Sequence, residues 1–195
     1  MEAAIRNGVR KKVLCLVGGA FAQRFADIAT ACGKEVELLK VEQGRTVEAD
    51  QVRAALRASG ADAVTVCHSE SATGALAPVA EIAQVVALAH ARGTRVTAHS
   101  GNLAGARVGV VAGVDAIEHG FELDTDLAAE MSSRGTFLVS TLAIFRSWES
   151  FAHTTRLARF AEKVGRARIA ARRERAEESV RLARAAGVRI ATGTD

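Results

Sequence analysis

From Lys12 onward the sequence alternates between short apolar runs and longer amphipathic stretches. "KVLCLVGG" leads into "AFAQRFADIATACG", "EVELLKV" into "EADQVRAALRASG", and "ADAVTVCHS" into "PVAEIAQVVALAHARG". The later runs are "TRVTAHS", "VDAIEHG", "TFLVSTLA" and "VRIATGTD". Val52, Ala55 and Leu56 keep helical spacing, and Pro78 suits the first turn of the third helix. Gly33, Gly60, Gly93, Gly113, Gly135 and Gly187 stand where a helix returns to a strand, the place for a left-handed cap. Near-continuous Val/Ile/Ala strands separated by helices predict an α/β fold with a parallel sheet covered on both faces.

About seven such strands fall one short of the eight that close a barrel. The expected architecture is therefore a single open parallel sheet with helices on both sides, and the alternative is an incomplete (β/α) barrel. The stretch from Ser147 to Ala186 reads as two successive helices. No low-complexity linker interrupts the 195 residues, so one domain sharing one sheet is expected.

Composition excludes several classes. Hydrophobic residues at 49% and charged residues at 25% describe a folded rather than a disordered chain. No apolar run approaches the roughly 18 residues of a membrane span. The opening "MEAAIRNGVRKK" has no apolar signal-peptide core, so the expected location is cytoplasmic. Cys15, Cys32 and Cys67 form no C-x-x-C pair and read as reduced structural thiols. The net charge of +4 gathers between Arg156 and Arg184, where "RRERAEESVRLARAAG" sets Glu174, Glu177 and Glu178 one turn from arginines. That is the pattern of a solvated helix. Without interleaved aromatics or small polar loops, it predicts no nucleic-acid partner.

Two resemblances follow from longer segments. "ALAHARGTRVTAHSGN", "AGVDAIEHG", "RGTFLVSTLAIF" and "AAGVRIATGTD" make residues 87–195 similar to the amidohydrolase superfamily, in particular to imidazolonepropionase-like metal-dependent hydrolases. They match the fifth to eighth strands of that family's barrel. The resemblance implies metal binding by His99 and His119, and metal binding plus proton handling by Asp195. Imidazoles and a carboxylate suit Zn²⁺ or another divalent ion, which lowers the pKa of bound water to about 7. The family's His-x-His pair occurs nowhere in this sequence, and the chain closes on the strand that carries Asp195. Half a ligand set is therefore expected.

"MEAAIRNGV", "VLCLVGGAFAQRFADIATACGKEVELLKVEQG" and "AVTVCHSESATGALAPVAEIA" make residues 1–86 resemble class V pyridoxal-phosphate aminotransferases of the serine–glyoxylate or aminoethylphosphonate type. His68 to Gly74 follows that family's His-x-Glu-(Thr/Ser)-x-Thr-Gly segment. The resemblance implies strands ordered 2-1-3 and, with the later strands added, an open sheet ordered 2-1-3-4-5-6-7. The family's Schiff-base lysine and pyridinium-pairing aspartate fall beyond the shared segment, so pyridoxal phosphate is not an expected cofactor. The change of resemblance falls inside "PVAEIAQVVALAHARG", a helix that serves either family. A join in mid-helix reads as an engineered chimera.

His68, His99 and His119 would share one sheet edge at about 5 Å per strand step if their strands are neighbours. Gly18 and Gly19, with Ser71 and Thr73 on the same rim, are the candidate phosphate or cofactor contacts, beside Glu70. His90 and His153 fall on helices away from strand tips. An unclosed sheet predicts a homodimer through its last edge, "VRIATG", or through apolar helix faces. Three functions fit these residues: a non-catalytic chimeric scaffold, residual metal-dependent hydrolysis, and phosphate or cofactor binding at the glycine-rich tip.

Overall fold

A computed structural model describes the chain apart from residues 1–4, 7, 68, 71, 72, 74, 78, 94, 152, 194 and 195. The chain divides into two compact units, Met1–His99 with Val108–Asp115, and Ser100–Arg107 with Ala116–Asp195.

The first unit is organised by β1 (Lys12–Val17), buried from Val13 to Val17. It lies between β2 (Glu35–Lys40) and β3 (Ala63–Thr65), parallel to both, in the order 2-1-3. Successive side chains of a strand point to opposite faces. Val13, Cys15 and Val17 accordingly pack with Ala22, Ala26 and Ala29 of α1 (Ala20–Ala31). Leu14 and Leu16 face the other way, joining Val52 and Leu56 of α2 (Ala49–Ser59) and Val85 of α3 (Val79–His90). The alanine stripe keeps α1 close to the sheet. Each fully buried Val or Leu contributes about 1.5–3 kcal/mol, so this one strand anchors both layers. Burial also pushes the Cys15 thiol above its ordinary pKa, against a weaker pull from the hydrogen bond with Thr65. Among the described residues no disulfide joins Cys15, Cys32 or Cys67.

The strand β4 (Ser69–Glu70) pairs antiparallel with β5 (Ala75–Leu76), a small hairpin apart from the main sheet. Past α3, Asp115 Oδ2 accepts from the Val96 amide at 2.7 Å and meets His90 Nε2 at 2.9 Å. His90 therefore fastens the end of its helix.

The second sheet is ordered β6 (Thr97–Ser100), β7 (Ala116–His119), β8 (Phe137–Ser140), β9 (Ile190–Thr192), with β8 parallel to both its neighbours. Between these strands run α4 (Leu103–Ala112), α5 (Thr125–Arg134), α6 (Ala143–Phe151), the short α7 (Ala158–Ala161) and the long α8 (Lys163–Ala185). Asp124 caps α5 by accepting from the Leu127 amide at 2.7 Å, and its other oxygen takes Arg107 at 2.8 Å. Ser179 is 1% exposed and ties α8 inward, its hydroxyl accepting from the Leu123 amide at 2.8 Å. Along α8, Arg181 pairs with Glu178 and Arg173 with Glu177, the one-turn pairing expected of that run. The stretch from Ser147 to Ala186, expected as two successive helices, holds the end of α6, the short α7 and the long α8.

The α/β class, the parallel strands and the 2-1-3 order hold, and all six return glycines have positive φ. The single seven-stranded sheet does not. Three parallel strands form one sheet and four form another, and among the described residues neither closes into a barrel. The reason lies in two strands. β3 has only three residues, and the chain leaves it for the β4–β5 hairpin. β6 exposes Thr97 and His99, so it is an edge strand rather than an interior one buried on both faces. Among the described residues no helix is long and apolar enough to cross a membrane.

Asp62 closes the first unit at its N-terminal side. Its two oxygens accept from the amides of Arg10, Lys11 and Lys12 at 2.9, 2.7 and 3.1 Å. Burial alone would raise its pKa, but the three amides and the Arg10 charge outweigh that and hold it below the ordinary value. A depressed carboxylate stabilises the fold above its unfolded pKa and loses that contribution as pH falls through the folded one. Asp62→Asn should therefore lower stability by about 1 kcal/mol at neutral pH. The gap to wild type should narrow as acid denaturation is followed below about pH 4.

Candidate functional site

The tip of β1 runs through Gly18 and Gly19 into α1, whose N-cap, Gly19, offers no side-chain acceptor. The first amides of a helix need acceptors, and the helix end carries about half a positive charge. Glu70 of β4 meets both needs. It is 4% exposed, and its carboxylate accepts from the amides of Phe21 at 3.2 Å and Ala22 at 3.0 Å. The two glycines make room for this arrangement. A Cβ on Gly19 would collide with the Glu70 side chain, and one on Gly18 would stand 2.7 Å from the Arg45 carbonyl oxygen. Thr73 shapes the hairpin turn: its amide donates to the Glu70 carbonyl at 3.1 Å, and its hydroxyl accepts from the Ala75 amide at 3.3 Å. Ser71 lies outside the described residues.

The space beside this cap is small on one side and open on the other. Between Gly18, Cys67 and Glu70 the pocket holds about 30 Å³, room for one or two waters. On the β2 side a cleft of about 410 Å³ is lined by Gly18, Gly19, Gln23, Lys40 and Gln43. Lys40 is the cation on that lining, and the Phe21 and Ala22 amides are already engaged by Glu70.

In the second unit His119 ends β7 in an unusual state. It is 4% exposed and has φ 72°, followed by Gly120 at φ 55°. A non-glycine residue held there costs about 1–3 kcal/mol, which the surroundings must offset. They do so through a 2.6 Å hydrogen bond between His119 Nδ1 and Thr141 Oγ1, and through Phe121, whose ring lies 5.1 Å away. Glu118, one residue earlier, is also buried. His99 belongs to the first unit and is exposed. His68 and Asp195 lie outside the described residues. Among the described residues no three His, Cys, Asp or Glu side chains are grouped to hold a metal ion.

The role of Glu70 is what sequence reasoning missed. The signal was present in "VGGAF", a helix start with no Ser, Thr, Asp or Asn to cap it.

Comparison with known proteins gives a sequence match for the first part of the chain and likenesses of fold across nearly all of it. Residues 10–99 match the family model "Aminotransferase class-V". An uncharacterized aminotransferase of Methanocaldococcus jannaschii is 42% identical over 89 residues, 44% of this chain and 23% of that protein. A 2-aminoethylphosphonate–pyruvate transaminase of Pseudomonas fluorescens is 38% identical over 90 residues, 45% of this chain and 24% of its own length. The chain thus spans about a quarter of these relatives. Among solved structures, a prolidase complexed with N-methylphosphonate-L-proline superposes with a TM-score of 0.61 at 25% identity, over 94% of this chain and 47% of the other. The ochratoxinase of A. niger gives 0.60 at 18% identity, over 100% and 55%, a likeness of fold alone. The chain therefore resembles both families, and the sequence match runs past residue 86 to residue 99, where the first stretch of the first unit ends.

Glu70→Ala should strand two amides at the start of α1 and cost about 1–2 kcal/mol, read as a lowered urea midpoint with unchanged slope.

Proposed function

We propose that this chain is a non-catalytic α/β scaffold, an engineered chimera joining an aminotransferase-like segment to an amidohydrolase-like one. The observation that supports this most is the Glu70 carboxylate on the α1 amides. An anion from outside would need those same donors, and the pocket next to them is water-sized. The glycine-rich tip then serves packing, and a phosphate-bearing cofactor finds one lysine instead of a helix-end cradle.

A second reading, divalent-metal binding with amidohydrolase-type hydrolysis, draws on His119. Its ring is oriented through Nδ1 by a hydroxyl, as outer-shell groups orient a liganding imidazole, on a strained strand tip. One experiment separates the readings. The purified chain is mixed with pyridoxal phosphate, and separately with Zn²⁺ alongside the His119→Ala variant. The scaffold reading expects a free-cofactor absorbance spectrum, an unshifted thermal midpoint with Zn²⁺, and no cleavage of an Xaa-Pro dipeptide. A cofactor band that survives gel filtration would sink it. So would zinc stabilisation or dipeptide cleavage that His119→Ala removes.

For partners, we propose a second copy of the chain meeting the first along β9. That strand ends its sheet and is exposed at all three residues, with Ile190 at 38%. Sedimentation velocity should show concentration-dependent dimers, and a strictly monomeric chain at high concentration would remove the proposal.

A further inference from the structure

The long helix α8 carries Gly165, Arg168, Ile169 and Arg172 at spacings of three and four, hence on one face. With Trp148 of α6 and Phe160 of α7 these residues line a pocket of about 340 Å³. That size falls within the roughly 300–1,000 Å³ usual for small-molecule sites. The pocket lies wholly within the second unit.

Its apolar surfaces are fixed. Trp148 stands edge-on to Phe145 with centroids 5.4 Å apart, and Phe145 is fully buried. Phe160 and Ile169 are both 8% exposed and belong to the same cluster. Gly165 is buried and brings no side chain, which leaves space between the rings and the helix. In a chain with only 4% aromatic residues, this concentration of rings is local.

The charged groups on this lining are both cations, Arg168 and Arg172. Arg172 lies over the Phe121 ring at 5.6 Å and donates through Nη2 to the Gly101 carbonyl at 3.3 Å. Its Nε–H is buried with no hydrogen-bond acceptor among the described residues. Arg168 is exposed and has no ion pair among the described residues. Nearby acids go elsewhere: Glu149 and Glu177 both pair with Arg173, and Glu122 with Arg175. The pocket is left with uncompensated positive charge at one side and flat apolar walls at the other. A buried donor without an acceptor is unfavourable, and a guanidinium meets a carboxylate through parallel N–H donors.

We propose that this pocket binds a small organic monocarboxylate with a flat apolar body. The body lies against Trp148, Phe160 and Ile169, and the carboxylate lies on Arg172 and Arg168. A strongly hydrated inorganic anion would gain nothing from the rings, and a neutral aromatic would leave the guanidiniums unmatched. The site requires neither a metal nor pyridoxal phosphate, so it stands or falls apart from the scaffold reading.

Trp148 is the chain's single tryptophan and reports directly on its own pocket. Phenylacetate is titrated into the full chain while Trp148 emission is followed, with isothermal titration checking one-to-one stoichiometry. The expected result is a saturable change, weakened about tenfold or more for phenylacetamide, which has nearly the same shape without the charge. Arg172→Gln also removes a tie to Gly101, so Arg168→Gln is the cleaner variant, its fold checked by circular dichroism. It should weaken phenylacetate about tenfold while leaving phenylacetamide unchanged. Absence of saturation at millimolar phenylacetate, equal affinity for the amide, or wild-type affinity in a folded Arg168→Gln chain would each overturn the proposal.

Discussion

A buried carboxylate on two helix-end amides governs the end of the first unit where β1 turns into α1. Glu70 reaches α1 from a hairpin nearly fifty residues further along the chain, and its burial is tolerated because charge-assisted hydrogen bonds and the helix-end field replace lost hydration. The contact does two things at once. It satisfies donors that the Gly-Gly turn cannot cap, and it holds the β4–β5 hairpin against the tip of β1. The same donors cannot serve an outside phosphate while the carboxylate is there. Structural completion of the turn and engagement of these two amides are therefore one event at this position.

The second unit solves its strand-tip problem differently. His119 and Gly120 turn the chain sharply out of β7 in left-handed geometry, and Leu138 leaves no room for a side chain at Gly120. The strain at His119 is held by Thr141 and by the ring of Phe121. Phe121 in turn meets Phe145, and Arg172 lies over its face. A residue that resemblance assigns to chemistry thus sits in a continuous run of packing contacts reaching α8. Backbone strain at such a point belongs to the fold as much as to any reaction.

What was legible in the sequence was local. The alternation in "KVLCLV" separates two faces, and the structure buries one against the alanines of α1 and the other against Val52 and Leu56. The return glycines carry their left-handed role in their own covalent structure, so position alone identifies them. Strand partnership is another matter. Nothing within "AVT" or "TAHS" states whether the two lie side by side, because pairing is decided by what covers each face. The exposed Thr97 and His99 decide it for β6. The Glu70 cap escaped for the same reason: the missing acceptor at "VGGAF" was visible, but the residue supplying it is fixed by tertiary structure.

The basic helix shows how one composition can hold two meanings. Read along the chain, α8 is a run of Arg and Glu with the pairing of a solvated surface, and Arg173, Glu177, Glu178 and Arg181 behave that way. Read around the helix, the face bearing 165, 168, 169 and 172 has no acid among its four residues and turns toward two aromatic side chains. Charge compensation on one face removes the acids that would neutralise the other. A helix with more basic than acidic residues thereby gathers a cationic stripe where a glycine has opened space, and net charge over a window cannot register that placement.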